Sequence, residues 1–300
     1  MSGDMRSVVD DLGATVAVPE RPTRFVSLVP SLSEVLWWWQ LADDVVAVTD
    51  WCVAPPSAFP TARRVRGTKN PDVRAIVELA PDVVVANEEE NRELDVRRLR
   101  EAGVAVYVTR VRTVDDAAGA LARLGAALGV ERAGAGSAQA IRRALDQLPR
   151  PRRRLRAFCP VWRDGVPSDG GPLDETWWAL GRDTFGGDLL ARCGFDVVPD
   201  AADGRYPRLR LQEVADAAPE VVLLPDEPYL FGEQDRAVFA DWSARTRLLD
   251  GTALSWWGPR TPHALGDLAR LARQLDRRRQ RASSAVANRS RRTSSSDTGV

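Results

Sequence analysis

The sequence predicts an α/β fold of two similar lobes with parallel sheets, bridged by one long rigid helix. Three observations carry this. The run Val77-Glu78-Leu79-Ala80-Pro81-Asp82-Val83-Val84-Val85 reappears in altered form as Ala215-Asp216-Ala217-Ala218-Pro219-Glu220-Val221-Val222-Leu223, and each copy enters an acidic loop. In both, a helix stops before proline, whose ring crowds the α region of the preceding residue, and the β-branched run that follows reads as a buried parallel strand. Strand and helix patterns alternate on either side of the middle of the chain, as in a parallel sheet. A long helical stretch separates the two copies. Two lobes imply a cleft between them, and a cleft implies a ligand.

The elements follow in order. Residues 8–10 and 15–18 flank Asp11-Leu12-Gly13 as a short β-hairpin. Residues 25–29 form a buried strand, and Pro30-Ser31-Leu32-Ser33-Glu34 opens a helix to about residue 41 with Ser31 or Ser33 as N-cap. Strand 45–48, loop 51–60, helix 72–79, strand 83–86, helix 94–102 ending at Gly103, and strand 104–108 complete the first lobe. Helical residues 114–128 and 131–148 are interrupted around Gly129, weakened by Gly134 and Gly136, and ended by Pro149 and Pro151. That stretch reads as a stiff strut that resists large closure. The second lobe reads as strand 155–159, helices 185–193 and 211–217, strand 221–224, helix 236–242, a last strand near 252–254 and a closing helix 262–275. The domains are therefore an N-terminal hairpin (1–22), a first lobe (23–113), a helical connector (114–150), a second lobe (151–276) and an Arg- and Ser-rich tail (277–300) read as disordered.

Composition narrows the class. Three hundred residues with 44% hydrophobic content allow two lobes with separate cores. No apolar run approaches the roughly 20 residues that span a bilayer, and residues 1–24 lack the continuous apolar core of a secretory signal. As written, the chain is expected in the cytoplasm, or outside it if the true start lies upstream. Cys52, Cys159 and Cys193 are scattered, which argues against a disulfide framework or structural zinc. The formal charge is zero, but the tail holds seven Arg and one Asp, leaving 35 basic against 41 acidic residues in the body. An acidic body does not suit nucleic acid.

Ten tryptophans are many for this length, and Trp51, Trp162, Trp177, Trp178, Trp256 and Trp257 fall in segments read as loops. Loops beyond the carboxyl ends of parallel strands line the ligand crevice, and indoles offer rigid flat surface for a bulky planar or macrocyclic guest. Trp51, Trp162 and Trp257 are the ligand-contact candidates; rings that merely plug the lobe surfaces are the alternative. Trp37, Trp38 and Trp39 are about 100° apart on a helix, so at least one is exposed or at an interface. Catalytic constellations are scarce: His263 is the only histidine, and no nucleophile elbow or dinucleotide turn occurs. His263, at the start of the last helix, reads as an exposed helix residue ahead of a metal ligand. Glu88-Glu89-Glu90 and Asp226-Glu227 either meet helix dipoles or face the cleft. Lys69 and Arg260 are candidates to meet anionic groups, and Cys52 is a conceivable thiolate but reads first as packing.

Several runs together resemble the iron-chelate and vitamin B12 class of substrate-binding proteins, the helical-backbone metal receptors. They are residues 24–34, Val48-Thr49-Asp50-Trp51-Cys52, Gly67-Thr68-Lys69-Asn70-Pro71, residues 79–85, Val161-Trp162-Arg163, Gly181-Arg182-Asp183-Thr184-Phe185, Leu224-Pro225-Asp226-Glu227-Pro228 and Trp256-Trp257-Gly258-Pro259-Arg260. The later ones are similar to the cobalamin-binding branch, and the match spans about residues 7–275. The resemblance implies two α/β lobes joined by one rigid helix, binding cobalamin, haem or a ferric siderophore with little closure. It implies ligand contacts from Ser31, Leu32, Trp51, Lys69, Trp162, Trp257 and Arg260. It also implies an ABC permease partner met by one glutamate per lobe, positions that here are Arg74 and Gln212, where a charge reversal opposes a basic partner. The loop 164–175 resembles an insertion beside the cleft.

The expectation is thus a non-catalytic, monomeric binding protein for a cobalamin-like corrinoid or another metal chelate, with no covalent cofactor, no nucleic-acid partner and no assigned metal ligand. Two rivals are a conventional ABC-importer component with a missed export signal, and a cytosolic enzyme such as a metal chelatase.

Overall fold

The computed structural model describes residues 4–53, 55, 57–165, 171–200 and 204–294. The chain forms two compact units, Met1–Asp146 with Ala253–Pro262, and Gln147–Thr252 with His263–Val300.

In the first unit, β1 (Met5–Val9) and β2 (Thr15–Pro19) make the expected antiparallel hairpin. Its turn acids hold it in place. Asp10 accepts from the Leu12 and Ala14 amides at 3.0 and 2.8 Å and from Arg100 at 2.6 Å, and Asp11 accepts from Arg123 at 2.7 Å. There follow β3 (Phe25–Ser27), α1 (Pro30–Trp38), β4 (Val45–Val48), β5 (Arg63–Arg64), α2 (Val73–Glu78), β6 (Val83–Asn87), α3 (Glu93–Glu101) and β7 (Val106–Thr109). The five strands form one parallel sheet in the order β5-β4-β3-β6-β7. Every residue of β3 and β6 is buried, as a sheet covered on both faces requires. Neither Ser31 nor Ser33 caps α1. Val29 is the N-cap and Pro30 begins the helix, where a missing N–H costs nothing, while Ser33 turns inward.

The connector is not free-standing. It is two helices, α4 (Val114–Ala127) and α5 (Glu131–Asp146), packed on each other within the first unit. Gly129, at φ +74°, turns the chain between them. Gly134, read from sequence as a weak point, is a contact point: a Cβ there would stand 2.6 Å from the Leu121 carbonyl oxygen and 2.8 Å from Gly125 Cα.

The second unit contains β8 (Leu155–Phe158), β9 (Pro160–Gly165), β10 (Thr176–Ala179), α6 (Phe185–Cys193), β11 (Phe195–Val197), β12 (Arg208–Arg210), α7 (Leu211–Asp216), β13 (Val221–Pro225), α8 (Glu233–Ala237) and β14 (Arg245–Leu249). Its parallel sheet runs β11-β8-β13-β14, the same relative order as β4-β3-β6-β7. An additional antiparallel sheet, β12-β10-β9, was not expected from the sequence. Two further readings change here. The last strand is 245–249, and the segment near 252–254 is instead helical, α9 (Thr252–Ser255). The closing helix α10 runs Thr261–Ser294, through most of the tail read as disordered. Good helix formers (Arg, Ala, Gln), with no Gly or Pro between Gly266 and Gly299, sustain it despite few apolar residues. Among the described residues no helix is long and apolar enough to cross a membrane.

The repeated Ala-Pro segment is a repeated device. Ala80 and Ala218, each beyond a helix end, both adopt the left-handed conformation, at φ +45° and +44°. In the first unit Arg24 donates to the carbonyls of Leu79 (2.6 Å) and Ala80 (3.3 Å), while Asp82 accepts from the amides of Thr23 (2.7 Å) and Arg24 (3.0 Å). In the second, Arg156 donates to the Ala217 carbonyl and Glu220 accepts from the Arg156 amide at 3.1 Å. Asp82→Ala and Glu220→Ala are each expected to lower stability by about 1–2 kcal/mol, the usual range for lost hydrogen bonds. Urea unfolding midpoints check this, and an effect confined to one site contradicts the equivalence.

Candidate functional site

β3 lies inside its sheet, with β4 on one side and β6 on the other, so the chain leaves it in two directions. Such a switch point opens a crevice beyond the carboxyl ends of the strands. The loops after β3, β5 and β6 are tied together there by Asn91. Its Nδ2 donates to the carbonyls of Leu28 (3.2 Å) and Thr68 (2.9 Å), and its Oδ1 accepts from the Asn87 amide at 2.9 Å. Lys69 Nζ donates to the Glu89 carbonyl. Gly67 leaves room for Trp51: a Cβ there would stand 3.3 Å from the indole Nε1 and 2.6 Å from Asn70 Oδ1. Trp51 is 66% exposed. Gly67 thus backs the exposed Trp51 ring, and Lys69 two residues on supplies an exposed ammonium, both on the open rim of the unit. That combination suits a wide planar guest with anionic or amide groups at its edge.

Beneath this rim is a closed polar cluster. Ser33 Oγ lies 2.8 Å from Ser27 Oγ and 2.9 Å from Cys52 Sγ, within hydrogen-bonding distance of both, and Thr49 Oγ1 lies 3.1 Å from the same sulfur. Burial pushes the Cys52 thiol up, against the lowering effect of hydrogen bonds from Ser33 and Thr49. Cys52 packs as a buried free thiol within this cluster. Burial likewise pushes Cys159 and Cys193 up to about 12.

The other candidates separate. Ser31 and Leu32 are buried, Leu32 completely, so the loop after β3 offers little of either side chain. Trp257 is only 5% exposed and offers no open ring face. Arg260 is not a free cation: Glu34 takes its Nε at 2.7 Å and its Nη2, and the guanidinium lies 4.9 Å over Trp256. The corrections at Trp257 and Arg260 share a cause, because segment 253–262 packs into the first unit where the sequence suggested a loop. Trp162, on β9, is 49% exposed with its ring edge-on to Tyr229 at 5.3 Å, and it stays available. Trp177 and Trp178 are on β10 and not in a loop; Trp177 is fully buried and stacks on Phe231. Of the tryptophan triplet, Trp39 is buried and donates to Ser137 at 3.0 Å, while Trp37 and Trp38 are exposed, as the helical spacing requires.

Glu88, Glu89 and Glu90 occupy a turn ahead of α3, whose first turn is instead made acidic by Glu93 and Asp95. Asp226 accepts from the Gly251 amide at 2.7 Å. His263 is exposed in the first turn of α10. Among the described residues no group of three or more His, Cys, Asp or Glu is placed to hold a metal ion. Arg74 pairs with Glu78 at 2.9 Å, and Gln212 donates to Asp216 at 2.8 Å, on matching exposed helices. In the loop 164–175, residues 166–170 lie outside those described; Asp164 is held by Arg208 at 2.8 Å.

Sequence reasoning missed two groups. Asn87 and Asn91 organise the rim, and the signal was a buried Asn closing an apolar strand. Arg163 joins Glu175 and Asp235, the latter at 2.8 Å, with its guanidinium 5.1 Å over Trp177. Its partner Asp235 lies 72 residues away, beyond any local pattern.

Two α/β units of one strand order, with an indole-bearing rim at the switch point of the first, define the fold of a two-lobed binding protein. Residues 26–249 match the Periplasmic binding protein family, and the chain belongs to it. The Vitamin B12-binding protein of Vibrio cholerae serotype O1 is 24% identical over 229 residues, covering 76% of this chain and 80% of that protein. Among solved structures, the fold is that of the periplasmic vitamin B12 binding protein BtuF of Vibrio cholerae, with TM-score 0.71, 21% identity, and coverage of 85% of this chain and 98% of that one. It is equally that of the periplasmic heme-binding protein RhuT from Roseiflexus sp. RS-1, with TM-score 0.69, 22% identity, and coverage of 85% and 99%.

The buried thiols fix a pH dependence. Their native pKa values lie above the ordinary 9.0, so their contribution to stability is whole below pH 9 and is lost as pH rises toward about 12. The urea midpoint is expected to hold between pH 7 and 9 and to fall above that. A thiol reagent at pH 8 is expected to label the three cysteines only after denaturation.

Proposed function

We propose that this protein binds a large metal chelate without chemical turnover, with a cobalamin-like corrinoid as the leading ligand and haem or a ferric siderophore as related ones, and that it holds no covalent cofactor. The observation that carries the reading is Trp51: an indole 66% exposed, fitted against Gly67 of the loop that also holds Lys69, at the switch point of a parallel sheet. Exposing that much apolar surface is unfavourable at about 25 cal/mol per Å² unless a partner covers it. Trp51 and Lys69 are the principal contacts, and Trp162 on the second unit is a further one. Ser31 and Leu32 shape the floor under the rim, and Trp257 and Arg260 support the first unit from within. The names of the V. cholerae and Roseiflexus relatives, which bind vitamin B12 and haem, support this ligand class.

An ABC permease is the partner that the resemblance implies, approached through α2 and α7. Arg74 and Gln212 then make this docking unlike one built on a glutamate pair. The periplasmic names of the solved relatives support the extracytoplasmic location over the cytoplasmic one. Cell fractionation decides, and purely cytosolic recovery overturns it.

Titration with cobalamin and with haem is expected to quench tryptophan fluorescence saturably for at least one of them. Trp51→Ala is expected to weaken that binding about tenfold, a change of about 1.4 kcal/mol, and Lys69→Ala to weaken it less. Absence of saturable binding of either chelate below about 100 μM, the weak end for a specific site, rejects the reading.

A further inference from the structure

Two places in this chain combine the same three groups. Arg260 lies 4.9 Å over Trp256 with its guanidinium edge held by Glu34. Arg163 lies 5.1 Å over Trp177 with its edge held by Glu175 and Asp235. In each, the guanidinium carbon sits over an indole ring and a carboxylate accepts from the N–H edge, so the cation gains from both. A third place supplies the indoles and the carboxylate. Trp37 and Trp38, 40% and 50% exposed, end α1 with their rings edge-on, centroids 6.2 Å apart and planes at 72°. With Gln40, Ala42 and Asp43 they line an open cavity of about 470 Å³. Gln40 turns the chain at φ +62°, its amide donating to the Trp37 carbonyl at 2.9 Å, and this brings Asp43 to the same cavity as the rings. Asp43 is exposed, and no cation of this chain pairs with it among the described residues.

We propose that this cavity is a docking site for an arginine side chain presented by a partner polypeptide. The guanidinium stacks on one indole, is walled by the other, and turns its N–H edge to the Asp43 carboxylate. Arginine is favoured over lysine or a quaternary ammonium because only the guanidinium has both a flat face and a donor edge. The chain's own two closed examples use that residue. Helix α1 stays anchored without the two exposed rings, since Trp39 is buried and bonded to Ser137 at 3.0 Å.

The test uses the full chain with its indole nitrogens labelled for NMR, the Trp37 and Trp38 signals being assigned with Trp37→Phe and Trp38→Phe. A short acetylated and amidated Gly-Arg-Gly peptide is expected to shift both signals saturably, with a dissociation constant of about 1 mM or weaker. The Lys analogue and tetramethylammonium are expected to bind at least about fivefold more weakly, and Asp43→Asn to weaken the Arg peptide by a similar factor. Asp43→Asn changes an exposed polar group, so an unchanged Tm accompanies the loss. No saturable shift of these two signals, equal binding of tetramethylammonium or the Lys peptide, or full binding by Asp43→Asn each overturns the proposal.

Discussion

The clamp of an arginine onto the end of a helix underlies the architecture of both units. Arg24, just before β3, and Arg156, the second residue of β8, each reach the carbonyls where a helix stops, α2 in one case and α7 in the other. A cation there meets the negative end of the helix dipole and satisfies carbonyls that have no partner within the helix. The acid two residues past the left-handed alanine closes the loop by accepting from the strand's own amide. With both ends tied, Phe25 must face Val83 in one sheet and Ala157 must face Val221 in the other. The pairing of β3 with β6 places the switch point, and the switch point places the rim that carries Trp51.

Much of this was legible before any coordinates. The Ala-Pro repeat announced the two units, because proline's restriction on its neighbour and a run of branched residues are local effects that survive any tertiary setting. Helix 185–193 was bounded correctly for the same reason, Thr184 capping one end and Gly194 the other at φ +104°. What stayed hidden depends on partners far along the chain. Nothing near Trp256 and Trp257 signals that Glu34 will draw their segment into the first unit. Nothing near Trp177 signals that Phe158, Phe231 and Phe239 will surround it. The three-strand sheet β12-β10-β9 escaped because its strands are short and interleave aromatic with charged residues, a pattern shared with loops.

The tryptophans therefore divide by what the fold does with them. Trp39, Trp177, Trp256 and Trp257 are structural, three of them beside hydrogen-bonding or cationic neighbours that accommodate an indole in a packed interior. Trp51 and Trp162 remain open on separate units, and Trp37 and Trp38 on a helix end. Composition alone could not separate these groups, since an indole buried over a guanidinium and one waiting for a planar guest have the same local sequence appearance.

The ion pair between Arg260 and Glu34 spans 226 residues and closes inside the first unit. At ribosomal speeds of about 5–20 residues per second, roughly 10–45 s separate the emergence of its two halves. Until then Glu34 has no Arg260 to pair with, and the place that residues 253–262 fill in the first unit stays open. The first unit, though begun first, is therefore complete only once residues 253–262 have emerged, and a nascent chain halted before residue 260 lacks part of its N-terminal half.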